Sequence, residues 1–290
     1  MGYYDTIIIS RDHNMRFFLR ATVARQELIK GIRIIYDAEA VVAPRRVLRR
    51  ELLGEEVTEV EKKKLLKNEV SLATGADRVI TVSEKEASYY QSYGFEATTV
   101  LGHSLNPQPT PRDFSDRKDI LFVGALREDE SPNVDSLLWF CSDIFPVLLQ
   151  RNKGLRLVVV GDSSAPSLDT VKHKNIDFLG RVEDLSDIYN QARIFVAPTR
   201  FAAGIPHKIH EAASRGVPTV ATGLLTAQLG WSHEEELLSA DNAEDFVCQC
   251  DRLLNEKDLW SSLRTTAFAA VKRDCSPEDF KRKLFSVVNP

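Results

Sequence analysis

Long hydrophobic runs, signal-peptide features and a strong net charge are all missing from this sequence. No stretch of its 290 residues approaches the roughly 18 consecutive apolar residues that a membrane-spanning helix needs. Residues 1–9 lack the basic flank and cleavage pattern of a signal peptide. The formal net charge of -4 favours neither nucleic acid nor an acidic membrane surface. We therefore expect a cytoplasmic protein with no transmembrane segment and no nucleic-acid partner, and we leave peripheral membrane contact open.

Cysteine is also scarce, with four residues in the chain. Cys248 and Cys250 are one residue apart, so on a helix they would point to different faces, and no cluster of His or Cys lies near them in sequence. In a reducing cytosol, we expect the cysteines to be small core residues. Their spacing predicts no metal site.

Short apolar runs rich in β-branched residues alternate with segments of helical periodicity, a pattern typical of βα units and a parallel sheet. The predicted fold class is therefore α/β, and the length allows two domains. The predicted strands are 6–10, 32–36, 78–82 and 98–101 in the first half, then 119–123, 155–160, 176–179, 194–197 and 219–221. The predicted helices are 56–74, 134–150, 185–191, 206–215, 243–255 and 258–271.

A proline-rich stretch separates the two halves. Pro107, Pro109 and Pro111 lie among polar residues between Ser104 and Lys118 and cannot donate regular backbone hydrogen bonds, which indicates an interdomain linker. A last helix is predicted from Ser276, which can cap it. The predicted organisation is a domain at 1–107, a Rossmann-like domain at 112–275, and a C-terminal helix at 276–290, with packing on the first domain as one option.

Candidate site residues follow the strands of the second domain, because ligands of open parallel sheets bind beyond the carboxyl ends of the strands. Gly124 ends one strand and would let a ligand approach the backbone, and Arg127 behind it could pair with a diphosphate through its fork of donors. Gly180 ends another strand, after which the backbone of Arg181 and Val182 could face a planar base. The alternative for either arginine is a solvated surface side chain.

The loop from residue 197 to 212 is the most informative of these. Gly204 would let a phosphate approach the backbone, and free amides at the start of the following helix form an anion site. Lys208 lies in the first turn of that helix, where a cation gains nothing from the helix dipole unless an anion is bound. Glu211 follows three residues later on the same face. The alternative for Lys208 and Glu211 is an ion pair on the helix surface.

Together these segments resemble the C-terminal domain of the family 4 (group 1) glycosyltransferases. The similarity runs from about Ile120 to Thr222 as an ordered set of motifs. They are Phe122-Val123-Gly124, Pro132-Asn133-Val134-Asp135, Val158-Val159-Val160-Gly161, Phe178-Leu179-Gly180, Pro198-Thr199-Arg200, Lys208-Ile209-His210-Glu211-Ala212 and Gly216-Val217-Pro218-Thr219-Val220-Ala221-Thr222. The resemblance implies the two-domain glycosyltransferase-B fold and sugar transfer from nucleotide donors with retention of configuration.

The resemblance also implies roles for the candidate residues. Glu211 would bind the ribose hydroxyls of the donor, Arg127 and Lys208 would neutralise its diphosphate, and the segment 180–183 would receive the base. Gly124, Gly180, Val182 and Gly204 complete the expected donor-binding set. The donor would be a nucleoside diphosphate sugar, with UDP or GDP as the nucleotide, and no metal or other cofactor is expected. The sequence differs from the family pattern at Ala203, where many members carry a Glu.

The first half resembles only the later part of the family's acceptor domain, so the first domain is expected to be incomplete. The chain could be a fragment or a shortened protein. His13 follows a predicted strand and is the candidate catalytic residue, and Asp37 and Glu39 are candidates on the acceptor side. The alternative for all three is a loop or capping residue.

The predicted function is transfer of a hexose to a hydroxyl acceptor in glycan or polysaccharide biosynthesis. One alternative is a degenerate module that binds a nucleotide or a partner protein without turnover. A second is a dinucleotide-dependent Rossmann enzyme, which is weakened because no Gly-x-Gly-x-x-Gly follows a strand anywhere in the chain.

Overall fold

A computed structural model describes residues 4–289 of the chain. Their contacts divide them into two compact units. Unit 1 comprises 4–104, Ala203–Ile205 and 277–289, and unit 2 comprises Leu105–Ala202 and Pro206–Ser276. The predicted division into two domains and a C-terminal helix, at 1–107, 112–275 and 276–290, stays a prediction.

Unit 1 contains one four-stranded parallel sheet in the order β1-β2-β3-β4. Its strands are β1 (Thr6–Ser10), β2 (Arg33–Asp37), β3 (Arg78–Thr81) and β4 (Thr98–Val100), and its helices are α1 (Asp12–Thr22), α2 (Val42–Leu52), α3 (Glu59–Val70), α4 (Glu84–Gln91) and α12 (Pro277–Val288). The four predicted strands are confirmed to within one residue at each end. Helices α1, α2 and α4 were not predicted from the sequence.

Strand β2 of unit 1 is buried on both faces of its sheet, as strands of parallel sheets usually are. On one face, Ile34 and Tyr36 of β2 belong to a core that includes Met15 of α1. On the other face, Ile35 of β2 packs with Val287 of α12. Alternate residues of one strand therefore enter different cores, which explains why β2 is apolar throughout most of its length. Strand β1 lies at the edge of this sheet.

Unit 2 contains a six-stranded parallel sheet in the order β10-β9-β8-β5-β6-β7. Its strands are β5 (Lys118–Val123), β6 (Leu157–Val160), β7 (Ile176–Phe178), β8 (Ala192–Ala197), β9 (Thr219–Ala221) and β10 (Leu238–Ser239). Its helices are α5 (Pro132–Trp139), α6 (Phe145–Arg151), α7 (Ser186–Gln191), α8 (His207–Ser214), α9 (Gly223–Leu229), α10 (Ala243–Asn255) and α11 (Lys257–Asp274). Five strands were predicted. The sixth, β10, is too short to leave a periodic signal.

The predicted helix 134–150 is helical throughout in the structure, but it is not a uniform α-helix. The structure has α5, a π-helical turn at Phe140–Ile144, and α6. Pro146 explains the break, because its ring nitrogen has no hydrogen to donate to the preceding turn. The predicted helix 56–74 is also shorter, since α3 begins after Thr58, whose side chain accepts a hydrogen bond from the Glu61 amide.

The proline-rich stretch is anchored to unit 2 by its polar residues. The amide and the hydroxyl of Thr110 donate to the backbone oxygen of Arg215 at 3.0 and 2.9 Å. Arg117 is fully buried and donates to the backbone oxygens of Tyr189 and Ala192. Side chains therefore supply the hydrogen bonds that the prolines cannot make.

The cysteines form no disulfide bonds among the residues that the structure describes. Cys141, Cys250 and Cys275 are buried and Cys248 is exposed, and all four are free thiols. Within residues 4–289, no helix is both long enough and apolar enough to cross a membrane.

Candidate functional site

The candidate site of unit 2 lies where the strand order reverses direction. From β5 the chain proceeds outward to β6 and β7, then returns to place β8 on the other side of β5. The loops after β5 and β8 therefore leave the sheet side by side in opposite directions and open a crevice between them. Gly124 begins the first of these loops, and Thr199 lies in the second.

Lys208 bridges these two loops. It lies in the first turn of α8, and its Nζ donates to Oδ1 of Asn133 at 3.0 Å and lies 3.4 Å from Oγ1 of Thr199. The same ammonium is 5.3 Å from the ring centroid of Phe122. Among the residues that the structure describes, none places a carboxylate in an ion pair with it. Lys208 is therefore a partly buried cation with only neutral partners.

The electrostatics of Lys208 follow from this environment. Burial lowers the pKa of its ammonium to about 8, from 10.5 for a free lysine. A buried charge without a counter-charge is costly, and such groups cluster at functional sites. No acidic residue lies in the first turn of α8, whose amides also favour an anion. The arrangement is suited to binding an anionic ligand.

Three glycines form the backbone frame of the crevice. Gly124 donates its amide to Val160 O at 2.9 Å, and Gly161 donates its amide to Gly180 O at 2.8 Å. Gly161 has a φ of 136°, and a Cβ built on it would lie 1.9 Å from the carbonyl oxygen of Gly124. The loops after β5 and β6 therefore approach so closely that only glycine fits.

Gly124 is constrained on its other side by Asn133. A Cβ added at Gly124 would lie 2.9 Å from Cγ of Asn133. The amide nitrogen of Asn133 donates to Ala125 O at 3.2 Å, which directs its oxygen to Lys208. Thr199 is buried, and its hydroxyl accepts from Ser136 at 3.1 Å. Asn133 and Thr199 thus orient Lys208, a role that the sequence analysis missed although both residues lie in the motifs it quoted.

Glu211 and Arg127 have different surroundings. Glu211 is partly buried near Tyr189, whose pKa is raised by burial and by the charge of Glu211. Arg127 is largely exposed and pairs with Asp162 through Nε at 2.8 Å. Val182 is partly buried against the core of unit 2. Their predicted roles toward a donor stay predictions.

The remaining candidates lie in unit 1. Gly204 donates its amide to Oε1 of the buried Glu86 at 2.9 Å, so this amide already has a partner. Asp37 accepts from the Ser10 hydroxyl at 2.8 Å, and Glu39 pairs with Arg11 at 2.9 Å. These residues, except Ser10 and Glu86, line a cavity at the carboxyl edge of the sheet.

His13 lies outside that cavity lining. It is the second residue of α1, is largely exposed, and has its Nδ1 3.8 Å from Asp12. Its predicted catalytic role therefore has no support from its surroundings in unit 1, and it stays a prediction. Within residues 4–289, no three His, Cys, Asp or Glu side chains are grouped so that they could hold a metal ion.

Comparison with known proteins gives a family match for part of the chain and a set of similar folds. Residues 117–256 match the family model described as glycosyl transferases group 1. TarM from S. aureus, in a complex with UDP, gives a TM-score of 0.70 at 13% identity over 90% of this chain and 52% of TarM. HepE from Anabaena, with UDP and glucose, gives 0.74 at 15% identity over 98% of this chain and 78% of HepE.

A further structural match is a trehalose-6-phosphate synthase studied for glycosyl transfer with retention, with a TM-score of 0.64 at 12% identity over 97% of this chain and 74% of the synthase. The chain spans about half the length of TarM. A search of curated proteins finds no match to this chain. The structural matches confirm the predicted fold class, an α/β chain with two Rossmann-like sheets of the glycosyltransferase-B type.

Proposed function

We propose that the chain is a glycosyltransferase that transfers a sugar from a UDP-sugar donor, since residues 117–256 match the glycosyl transferases group 1 family model. One observation carries the proposal: the ammonium of Lys208 is partly buried at the switch point of the sheet with only neutral partners. A diphosphate would supply the missing negative charge. UDP is the nucleotide in the complexes of TarM and HepE.

The transfer is proposed to proceed with retention at the anomeric carbon. The acceptor oxygen forms a bond to that carbon, while the bond from the carbon to the diphosphate oxygen breaks and its electron pair leaves with UDP. The acceptor proton passes to the departing diphosphate. Lys208 stabilises the negative charge that develops there, so its contribution is largest in the transition state. Because Lys208 can supply this charge, the proposal needs no metal.

The remaining roles follow from position. Glu211, one turn after Lys208 in α8, is proposed to accept hydrogen bonds from the ribose hydroxyls. Gly161 lets the loops after β5 and β6 pack closely beside the crevice, because a Cβ there would lie 1.9 Å from the carbonyl oxygen of Gly124. Arg127 is proposed to exchange Asp162 for the diphosphate, since its present ion pair is exposed and therefore weak.

Isothermal titration with UDP, UMP and GDP tests the proposal directly. We expect UDP to bind at least about tenfold more tightly than UMP, because the second phosphate adds a charge-assisted contact. Glu211→Gln should weaken UDP binding by about tenfold through its lost charge. Glu244→Gln is the matched control, because Glu244 is an exposed carboxylate of α10 in the same unit and lies outside the proposed donor site.

Two results would contradict the proposal. Equal affinity for UDP and UMP would show that no diphosphate site exists, and equal losses in the two glutamine variants would remove Glu211 from the site. If GDP binds more tightly than UDP, the donor is a GDP-sugar and not a UDP-sugar. The proposed reaction, glycosyl transfer, is unaffected by that result.

A second candidate function is nucleotide binding without turnover, and Ala203 favours it. Many family members carry a glutamate at the position of Ala203, which in this chain lines the unit 1 cavity. A donor that binds tightly but yields neither transfer nor hydrolysis across a panel of UDP-sugars and alcohols would establish this candidate. Release of UDP in the presence of one acceptor would exclude it.

A further inference from the structure

Unit 2 has a cavity of about 620 Å³ that is separate from the crevice at Lys208. It lies beside the π-helical turn Phe140–Ile144, and Ile176 at the start of β7 lines it. Because β7 runs parallel to its neighbour, its first residue marks the amino edge of the sheet, opposite the edge where the candidate site opens. Small-molecule sites typically occupy about 300 to 1,000 Å³, so the volume suits a compact ligand.

The walls of this cavity are mostly apolar. The apolar side chains that line it are Cys141, Phe145, Pro146, Leu149, Val171 and Ile176. Phe145 is 2% exposed and its ring stacks on Phe140, with the ring centroids 6.2 Å apart, so this wall is formed before any ligand binds. Sugar hydroxyls buried against such walls would lose their hydrogen bonds to water without replacement. The cavity therefore favours a hydrocarbon group.

The helix beside the cavity is irregular where it contributes to the lining. Cys141 and Ser142 reach the cavity from the π-helical turn, a rare element that is frequent at functional sites. Pro146 has no amide hydrogen, so it cannot give the carbonyl oxygen of Ser142 the hydrogen bond of a regular helix. This local irregularity is a second observation in favour of a ligand site.

The charge at the mouth of the cavity is positive. Lys172 and His173 are exposed members of the lining, and no carboxylate within residues 4–289 is among the lining residues. The ammonium of Lys172 pairs with Asp169 at 2.7 Å, but the two side chains are 70% and 76% exposed, so this ion pair is weak. The Asn175 amide donates to Nδ1 of His173 at 3.2 Å, which leaves Nε2 to carry the hydrogen of the neutral ring. The mouth therefore favours an anionic group and disfavours a cationic one.

We propose that this cavity binds a free amphiphile, a molecule with a short hydrocarbon chain and one anionic head group. The chain lies against Phe145 and Ile176, and the head group accepts hydrogen bonds from Lys172 and His173. A bilayer is a poorer occupant, because a membrane-binding face presents exposed apolar side chains. Among residues 4–289, none of the large apolar side chains that are exposed lines the cavity.

Alkylation of the full chain by N-ethylmaleimide, followed by peptide mass spectrometry, tests the inference with octanoate as the ligand. Burial raises the pKa of the Cys141 thiol to about 12, so its alkylation is already slow and sensitive to further shielding. Octanoate should slow it by at least about tenfold at saturation. Cys250 is the internal control for general stabilisation, because it is buried and does not line the cavity.

Two further ligands separate the contributions of charge and chain. Octyltrimethylammonium has the same chain as octanoate and the opposite charge, and butanoate has the same head group and a shorter chain. Each should need at least about a tenfold higher concentration than octanoate to slow the alkylation of Cys141 equally, because one is repelled by Lys172 and the other buries fewer methylene groups.

Variants locate the head group and the chain. Lys172→Ala should remove the preference for octanoate over octyltrimethylammonium, and Lys257→Ala is the matched control, since Lys257 is an exposed lysine of α11 outside the lining. Val171→Asn should weaken octanoate binding about tenfold, because it places an amide in the apolar wall. Val60→Asn should not, since Val60 is 78% exposed in unit 1. Lys208→Ala should bind octanoate as tightly as the unaltered protein does.

Several results would overturn the inference. Equal slowing at Cys141 and Cys250, or equal effects of octanoate and octyltrimethylammonium, would show that the cavity is not the site. Slowing at Cys141 by phosphatidylglycerol vesicles would show that a bilayer covers it, and slowing that increases with protein concentration alone would show that a second copy does. Failure of UDP to bind would instead count against the proposed function and leave octanoate binding unaffected.

Discussion

Replacing Lys208 by alanine is expected to lower the affinity for UDP by about 100-fold at pH 7, equivalent to about 2.7 kcal/mol. The loss is large because the ammonium is bound only by Asn133 and Thr199 in the free protein, so its charge is available to a ligand. Folding should be little affected, since no ion pair is broken. Isothermal titration and a urea unfolding curve would measure the two effects separately.

The matched control is Lys172→Ala. Lys172 is an exposed lysine of unit 2 whose ammonium pairs with Asp169 at 2.7 Å. The variant Lys172→Ala should bind UDP as tightly as the unaltered protein does. Equal affinities for UDP in Lys208→Ala and Lys172→Ala would exclude Lys208 as a diphosphate ligand.

The affinity for UDP should also depend on pH through Lys208. Its pKa of about 8 in the free protein means that most of the ammonium is charged at pH 7 and little of it at pH 9. UDP requires the charged form, so its affinity should be highest below pH 8 and fall about tenfold between pH 7 and pH 9. Lys208→Ala should show a weak affinity that is flat over this range. A flat profile in the unaltered protein would contradict the assignment.

Gly161→Ala is expected to destabilise the protein by about 3 kcal/mol or more. The new methyl group would lie 1.9 Å from the carbonyl oxygen of Gly124, which is a backbone atom and cannot rotate away. The backbone at Gly161, with φ 136°, is also one that alanine rarely adopts. Relief of the clash must move the loop after β5, so the affinity for UDP should fall as well.

Gly154→Ala is the control that separates the effect of the steric clash from the effect of the unfavourable backbone conformation. Gly154 has a φ of 81°, and a Cβ built there has nothing within 4 Å. Gly154→Ala should lower the free energy of unfolding by only about 1 kcal/mol and leave UDP binding unchanged. Urea unfolding of both variants gives the comparison. Similar losses of stability at the two positions would show that the loops after β5 and β6 can separate at little cost.

The strands were predictable because buried parallel strands are short apolar runs, and nine of the ten were found from the sequence. The interrupted helix from α5 to α6 was not, because the π-helical turn depends on how Pro146 is accommodated locally. Helix α9 was missed because it begins at Gly223, a residue that usually marks a turn.

Only those features of the candidate site that depend on residues close together in the sequence could be predicted. The spacing of Lys208 and Glu211 placed both on one helix face. The contact of Lys208 with Asn133 joins residues 75 positions apart, and that of Gly204 with Glu86 spans 118 positions. Such contacts depend on the register of whole strands and helices, which propensity and motif spacing do not encode.

Strand β1 has a consequence for handling the protein in concentrated solution. Thr6–Ser10 carries no charged residue, proline or bulge, and it pairs with β2 in unbroken register. Among residues 4–289, no strand pairs with its other side, and the Ile8 side chain is 46% exposed. Natural sheets usually protect such edges with lysine, proline or a bulge, since an unprotected edge is a template for joining another polypeptide. Aggregation of the protein should therefore begin at this strand. The substitution Ile8→Lys would be the simplest way to reduce it.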